Sequence, residues 1–171
     1  LFLFLLFCTS LSSCAIEEDP LQEELTRELS LKAHYDSEKQ ARIAALTQRT
    51  YRNLDEMTLG ERYDAFDRLR EAYLSYSFDS AYRYTTELRD CGLRMDDDHK
   101  LDSRTKYSFV LSNGGFFKEA VDSLTAIDAS HLEVSTKVRA DYYIALGRIY
   151  HNLADYTADD IYNPLYNRLG N

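Results

Sequence analysis

Tryptophan is missing from this chain, and proline and glycine are scarce: two Pro and six Gly in 171 residues. With so few breakers and many Leu, Ala, Glu and Arg, the composition favours an all-helical protein. Positive charge is also short. Twenty Lys and Arg stand against 29 Asp and Glu, a net charge of −9, which argues against nucleic-acid binding by this segment. Cysteine is limited to three. Cys8 and Cys14 lie in the N-terminal stretch, which leaves Cys91 without an internal disulfide partner and without a nearby His to activate it. It reads as a small buried hydrophobe. Long apolar runs are lacking as well. Leu1 to Phe7 is unbroken but too short to span a bilayer by itself.

What the chain does have is tyrosine, fourteen of them, and a recurring punctuation. In Gly115-Phe116-Phe117-Lys118-Glu119-Ala120 the glycine lets the chain leave one helix in a left-handed conformation. Phe117 starts the next helix and plugs the seam, and Ala120 is small enough for two backbones to approach. The same aromatic and alanine recur at Phe78 and Ala81, and the aromatic alone at Tyr156. Phe78, Phe117 and Tyr156 fall at equal steps of 39 (117 − 78 and 156 − 117). Tyr143-x-x-Leu146-Gly147-x-x-Tyr150 adds a full first-helix pattern, with Gly147 where a neighbouring helix presses closest. Equal steps at the length of a helix pair are the sign of stacked tetratricopeptide-like (TPR) repeats, usually about 34 residues each. The extra residues are expected in the links between units.

The N-terminus reads as export machinery. Leu1 to Phe7 suits the apolar part of a secretory signal, and the missing initiator Met and basic residues point to a start beyond the sequence given. Leu11-Ser12-Ser13-Cys14 resembles a lipobox with Cys14 as the lipidated residue. Ordinary cleavage after Ala15 and an uncleaved anchor are the alternatives. Residues 1–15 are thus expected to be a signal, 16–20 a linker, 21–57 an amphipathic helical cap or stem, and 58–171 repeats.

From Leu21 to Leu59 there is no Pro or Gly, so one long helix is expected, or two with a break near His34 to Ser37. Its leucine stripe drifts and keeps no strict heptad, which favours a cap packed on the first repeat over a coiled-coil stem and leaves dimerisation open. The repeats are expected at about 58–95, 98–130 and 134–171, the last incomplete. Thr58-x-x-Glu61 is a capping box that starts the first of them, and Ser130-x-x-Glu133 reads as another. Gly92 is expected to stop a helix just past its last turn. Tyr166 to Gly170 reads as the opening of a fourth unit after Pro164.

Chemistry is thin. Asp96-Asp97-Asp98-His99 is a run of neighbours without the alternate spacing and glycine of a calcium loop, so it reads as a solvated loop. The other histidines lack ligand spacing, and no phosphate loop or nucleophile motif occurs. No metal, cofactor or catalytic residue is assigned, and the chain is not expected to be an enzyme. First-helix residues line the concave groove of such arrays, so Arg104, Lys106, Tyr142, Arg148 and His151 are the expected contacts for a peptide or protein partner.

Three stretches carry a family resemblance: Leu21 to Leu46, with Glu38-Lys39-Gln40-Ala41-Arg42-Ile43-Ala44-Ala45-Leu46; Tyr73 to Ala81; and Leu153-Ala154-Asp155-Tyr156 with Asn163-Pro164. The order resembles TPR-containing transcriptional regulators of Bacteroides-type bacteria. The resemblance implies an exported sensing or docking part on the periplasmic face of the envelope. It would be held at the membrane by a lipid anchor or by a later helix leading to a cytoplasmic output. The alternative is a SusD-like glycan-binding outer-membrane lipoprotein, which also builds on TPR helices. The lipobox and the tyrosines favour it; the lack of Trp opposes it.

Overall fold

The computed structural model describes residues 19–171. The expected signal, with Cys14, lies outside the described residues. Among them the chain forms seven α-helices and one 3-10 turn, with no strand: α1 Pro20–Asn53, the 3-10 turn Leu54–Glu56, α2 Leu59–Tyr73, α3 Phe78–Gly92, α4 Asp97–Asn113, α5 Phe117–Thr125, α6 Thr136–Thr157 and α7 Tyr162–Gly170. The fold is an all-α array of TPR-like helical hairpins preceded by a long helix.

The chain divides between Gln40 and Ala41 into two compact units. In the first, Asp19 accepts a hydrogen bond from the Leu21 amide at 3.0 Å and Pro20 opens α1, the usual order for a helix start. The helix runs through His34 to Ser37 without a break. Leu21, Leu25 and Leu29 are each more than half exposed.

The second unit begins with the rear of α1, where Ile43 and Thr50 are buried. It continues as the hairpins α2/α3, α4/α5 and α6/α7. Two apolar clusters hold it. Tyr63, Phe66, Leu69, Tyr84, Leu88 and Cys91 fill the space between α2 and α3, with Leu46 and Leu54 against them. Leu101, Leu111, Leu124, Tyr142 and Ile149 join α4, α5 and α6.

Local chemistry explains the boundaries. Both limbs of the Thr58 capping box form: Thr58 N–H donates to Glu61 Oε2 at 2.8 Å, and Glu61 N–H to Thr58 Oγ1 at 3.3 Å. The hydrogen bonds from Thr58 hold the Glu61 carboxyl below its ordinary range. Gly115 has φ 83°, the left-handed turn that only glycine adopts without strain. Ala81 and Ala120 are fully buried where their hairpins close.

Several expectations need correction. Asp96 to His99 is not a loop but the start of α4. Asp96 caps it, accepting from the His99 amide at 3.0 Å. Gly92 is the last residue of α3 rather than one past it, and it also permits close approach, because a Cβ there would meet His99 O at 2.7 Å. Helix α6 starts at Thr136 under a Ser135 cap, not at Ser130, whose amide and hydroxyl turn back to Asp128. Tyr156 sits in the last turn of α6 rather than at the head of the next helix. That helix ends at Ala158, left-handed at φ 44°. Asp159 then accepts from the Ile161 and Tyr162 amides at 2.8 and 2.7 Å and launches α7. Pro164 is the third residue of α7, where its missing N–H costs nothing. Tyr166 to Gly170 therefore belongs to the second helix of the third hairpin and not to a fourth unit. Helix α7 runs antiparallel on α6, and a Cβ on Gly147 would lie 2.9 Å from Gly170 O. The extra repeat length is used in two ways. Helix α3 is 15 residues long. Helix α5 is only 9 and is followed by the link 126–135.

Candidate functional site: the face of α2, α4 and α6

The first helices of the three hairpins present one face, and its lateral contacts follow the repeat step. Tyr63 on α2 donates its hydroxyl to Asp102 on α4, 39 positions on. Lys106 on α4 meets Asp67 on α2 at 2.7 Å, again 39 positions apart. Arg148 on α6 lies with its guanidinium 5.7 Å from the ring centre of Phe109 on α4. Equivalent residues of successive first helices therefore touch.

The charges between α2 and α4 form a chain. Lys106 reaches Asp67 and Asp102, both at 2.7 Å, and Arg70 donates to Asp67 at 2.7 Å. Burial alone would raise the Asp67 carboxyl. The Lys106 hydrogen bond and the charges of Arg70 and Lys106 more than reverse it, so the group sits below its ordinary range. Burial, then the hydrogen bond to Asp102, push the Tyr63 phenol far above its usual value. Tyr63 therefore stays protonated and acts as a donor. His99 packs edge-on against its ring at 4.9 Å.

Two hollows open on this face. One, of about 230 Å³, lies between α4 and α6 and is lined by Asp102, Thr105, Lys106, Phe109, Asp141, Ile144, Ala145 and Arg148. The other, of about 260 Å³, is lined by Tyr63, Asp98, His99, Asp102, Lys106, Lys137 and Val138. Asp102 and Lys106 line both, which makes the surface continuous. Ile144 is 65% exposed in its midst, an apolar residue ringed by fixed charges.

Of the five expected groove residues, Lys106 and Arg148 line this surface and three lie elsewhere. Tyr142 is buried in the α4/α5/α6 core. Arg104 points across to α5 and donates to Ser123 O at 3.3 Å. His151 faces α7 through Asn167 at 3.1 Å. The residues chosen for the repeat itself are placed as follows. Phe117 faces Tyr156, centres 5.4 Å apart, and Phe78 stacks on Phe116. Leu146 packs on the core, and Tyr150 stacks on Tyr166. Tyr63, Asp67, Asp102 and Ile144 are not among the expected groove contacts. The signal existed: 63, 102 and 141, and likewise 67, 106 and 145, are set by the same step of 39 as the turn aromatics.

Residues 29–171 match the SusR N-terminal TPR domain. The chain belongs to that family. The match runs from the front half of α1 through α7 and takes in every residue of the α2/α4/α6 face. No curated protein and no solved structure matches the chain. Among the described residues of this SusR-type TPR domain there is no group of His, Cys, Asp and Glu fit to hold a metal ion. No helix among them is long and apolar enough to cross a membrane.

Proposed function

We propose that this SusR-type TPR domain is a non-catalytic interaction module that holds an extended segment or a helix of a protein partner on the α2/α4/α6 face. The observation that carries this is the continuity of that face. Asp102 and Lys106 are common to both hollows, and their side chains are fixed in a network before any guest arrives. A pre-ordered surface loses little side-chain entropy on binding. Exposed Ile144 supplies an apolar anchor beside charges that set register and direction.

The module is further proposed to stand on the periplasmic side of the envelope, as the extracytoplasmic part of a membrane-anchored regulator. The apolar run Leu1 to Phe7 and membership of the SusR family support this. The glycan-binding alternative draws no support from the family match.

The test places a photo-cross-linking amino acid, p-benzoylphenylalanine, at Ile144 in cells that carry the gene naturally, with the same group at exposed Asp90 near the end of α3 as the control. A discrete protein adduct from position 144 alone is the expected result. No adduct at 144, or the same adducts from both positions, would refute the reading.

A further inference from the structure

A third hollow, of about 500 Å³, lies away from that face, between the starts of α3 and α5 and the rear half of α4. Its walls are aromatic. Phe78 stacks on Phe116 with ring centres 5.7 Å apart and planes 22° apart, and on Tyr82 at 6.0 Å. Tyr82 leans on Tyr107 at 5.7 Å, with the two hydroxyls 3.1 Å apart. These rings are not core filler, since Phe78, Tyr82 and Phe116 remain 36, 37 and 47% exposed. Their arrangement depends on Gly114, because a Cβ there would collide with the edge of the Phe78 ring.

Two carboxylates, Asp79 and Glu119, line the same hollow. They sit in the first turns of α3 and α5, where the helix dipole favours negative charge. Among the described residues neither has an ion-pair partner within 4.0 Å; Lys118, whose charge Glu119 also feels, pairs with Asp122 instead. A purely apolar guest would cover the rings and leave both carboxylates unanswered. A cation satisfies rings and carboxylates together, because the face of an aromatic ring attracts positive charge. The wall already shows this chemistry once, for the Arg89 guanidinium lies 4.3 Å from the centre of the Tyr107 ring. Arginine suits the slot better than lysine, since its planar head stacks flat on rings and donates two parallel hydrogen bonds to a carboxylate. The chain's net charge of −9 draws basic segments toward it.

We infer that the Phe78–Tyr82–Phe116 slot, with Asp79 and Glu119, receives an arginine side chain from a basic segment of the protein partner. This deepens the interaction reading and rests on it for the partner being a protein. The test titrates N-acetylarginine amide into the whole chain and follows the aromatic carbon and proton shifts of Phe78, Tyr82 and Phe116 by NMR. N-acetylnorleucine amide is the apolar control. The expected result is saturable shifts at these rings with the arginine amide and at least fivefold weaker binding of the norleucine amide. In the D79N/E119Q double variant, arginine affinity should fall at least fivefold, while loss of the two helix-dipole contacts lowers the melting temperature by only a few degrees and leaves the chain folded at the titration temperature. Equal binding of the two amides, no saturable shift at these rings, or unchanged arginine affinity in the double variant would overturn the proposal. Failure here leaves a cross-link at Ile144 untouched, and loss of that cross-link leaves this titration unchanged, so the two readings fail separately.

Discussion

Two glycines separate the reasons a side chain is forbidden. Gly115 has φ 83°, and a Cβ there would meet nothing within 4 Å, so Gly115→Ala costs only backbone strain, about 1–2 kcal/mol. Gly92 has ordinary helical geometry, where alanine would normally gain about 0.5–1 kcal/mol. Its Cβ would instead strike the His99 carbonyl at 2.7 Å, and backbone cannot swing aside. Gly92→Ala is expected to cost about 2–3 kcal/mol, at the upper end for overpacking, and more than Gly115→Ala. Urea unfolding of both variants checks the order. The network on the α2/α4/α6 face gives a pH prediction. The folded-state Asp67 carboxyl lies below its usual value. Its stabilisation is therefore fully present above the unfolded carboxylate pKa, about 4, and is lost as pH falls below that toward the folded value. Asp67→Asn should lower the urea midpoint at pH 7 and flatten its decline between pH 5 and pH 3. An equally steep decline would remove Asp67 from the account.

At the scale of elements, α1 was legible because no Pro or Gly occurs in 21–53. The hairpins α2/α3 and α4/α5 were legible through Thr58, Ala81, Gly115 and Ala120. The end of α6 was not. Tyr156 stands at the punctuation step, yet the helix runs past it and turns at Ala158, whose φ of 44° belongs to glycine or asparagine by steric preference. Sequence periodicity sees side-chain type and cannot see a strained backbone chosen by packing of α7 on α6 through Gly147 and Asn163. Ala158→Gly is therefore expected to raise stability, by up to about 1 kcal/mol, since relief of left-handed strain outweighs the entropy of glycine. A destabilising result would mean that the α6–α7 turn differs from the one described. The groove was half legible for a similar reason. Choosing first-helix residues found Lys106 and Arg148, but Tyr142 and His151 lie on other sides of the same helix, a rotation of the helix axis that the pattern alone did not fix. Within α1 burial differs sharply. Leu25 is 58% exposed and Ile43 6%, so Leu25→Ala should stay within about 0.5 kcal/mol of the parent while Ile43→Ala costs about 2–4 kcal/mol. Thermal melts of the two variants decide it.

At the scale of the whole second unit, one number organises the structure. The step of 39 places Tyr63 on Asp102, Asp67 on Lys106, Phe109 on Arg148 and Phe117 on Tyr156. Stacking in register turns three separate first helices into one continuous surface, as repeat architectures do. The proposed interaction rests on that surface as a whole. The most direct test uses the protein cross-linked at position 144, purified and titrated against the domain by calorimetry. Ile144→Glu and Arg148→Ala alter the exposed surface while leaving the Lys106 network and both cores in place. The account predicts at least tenfold weaker binding for Ile144→Glu, a smaller loss for Arg148→Ala and unchanged melting temperatures for both. Wild-type affinity in both variants would contradict it.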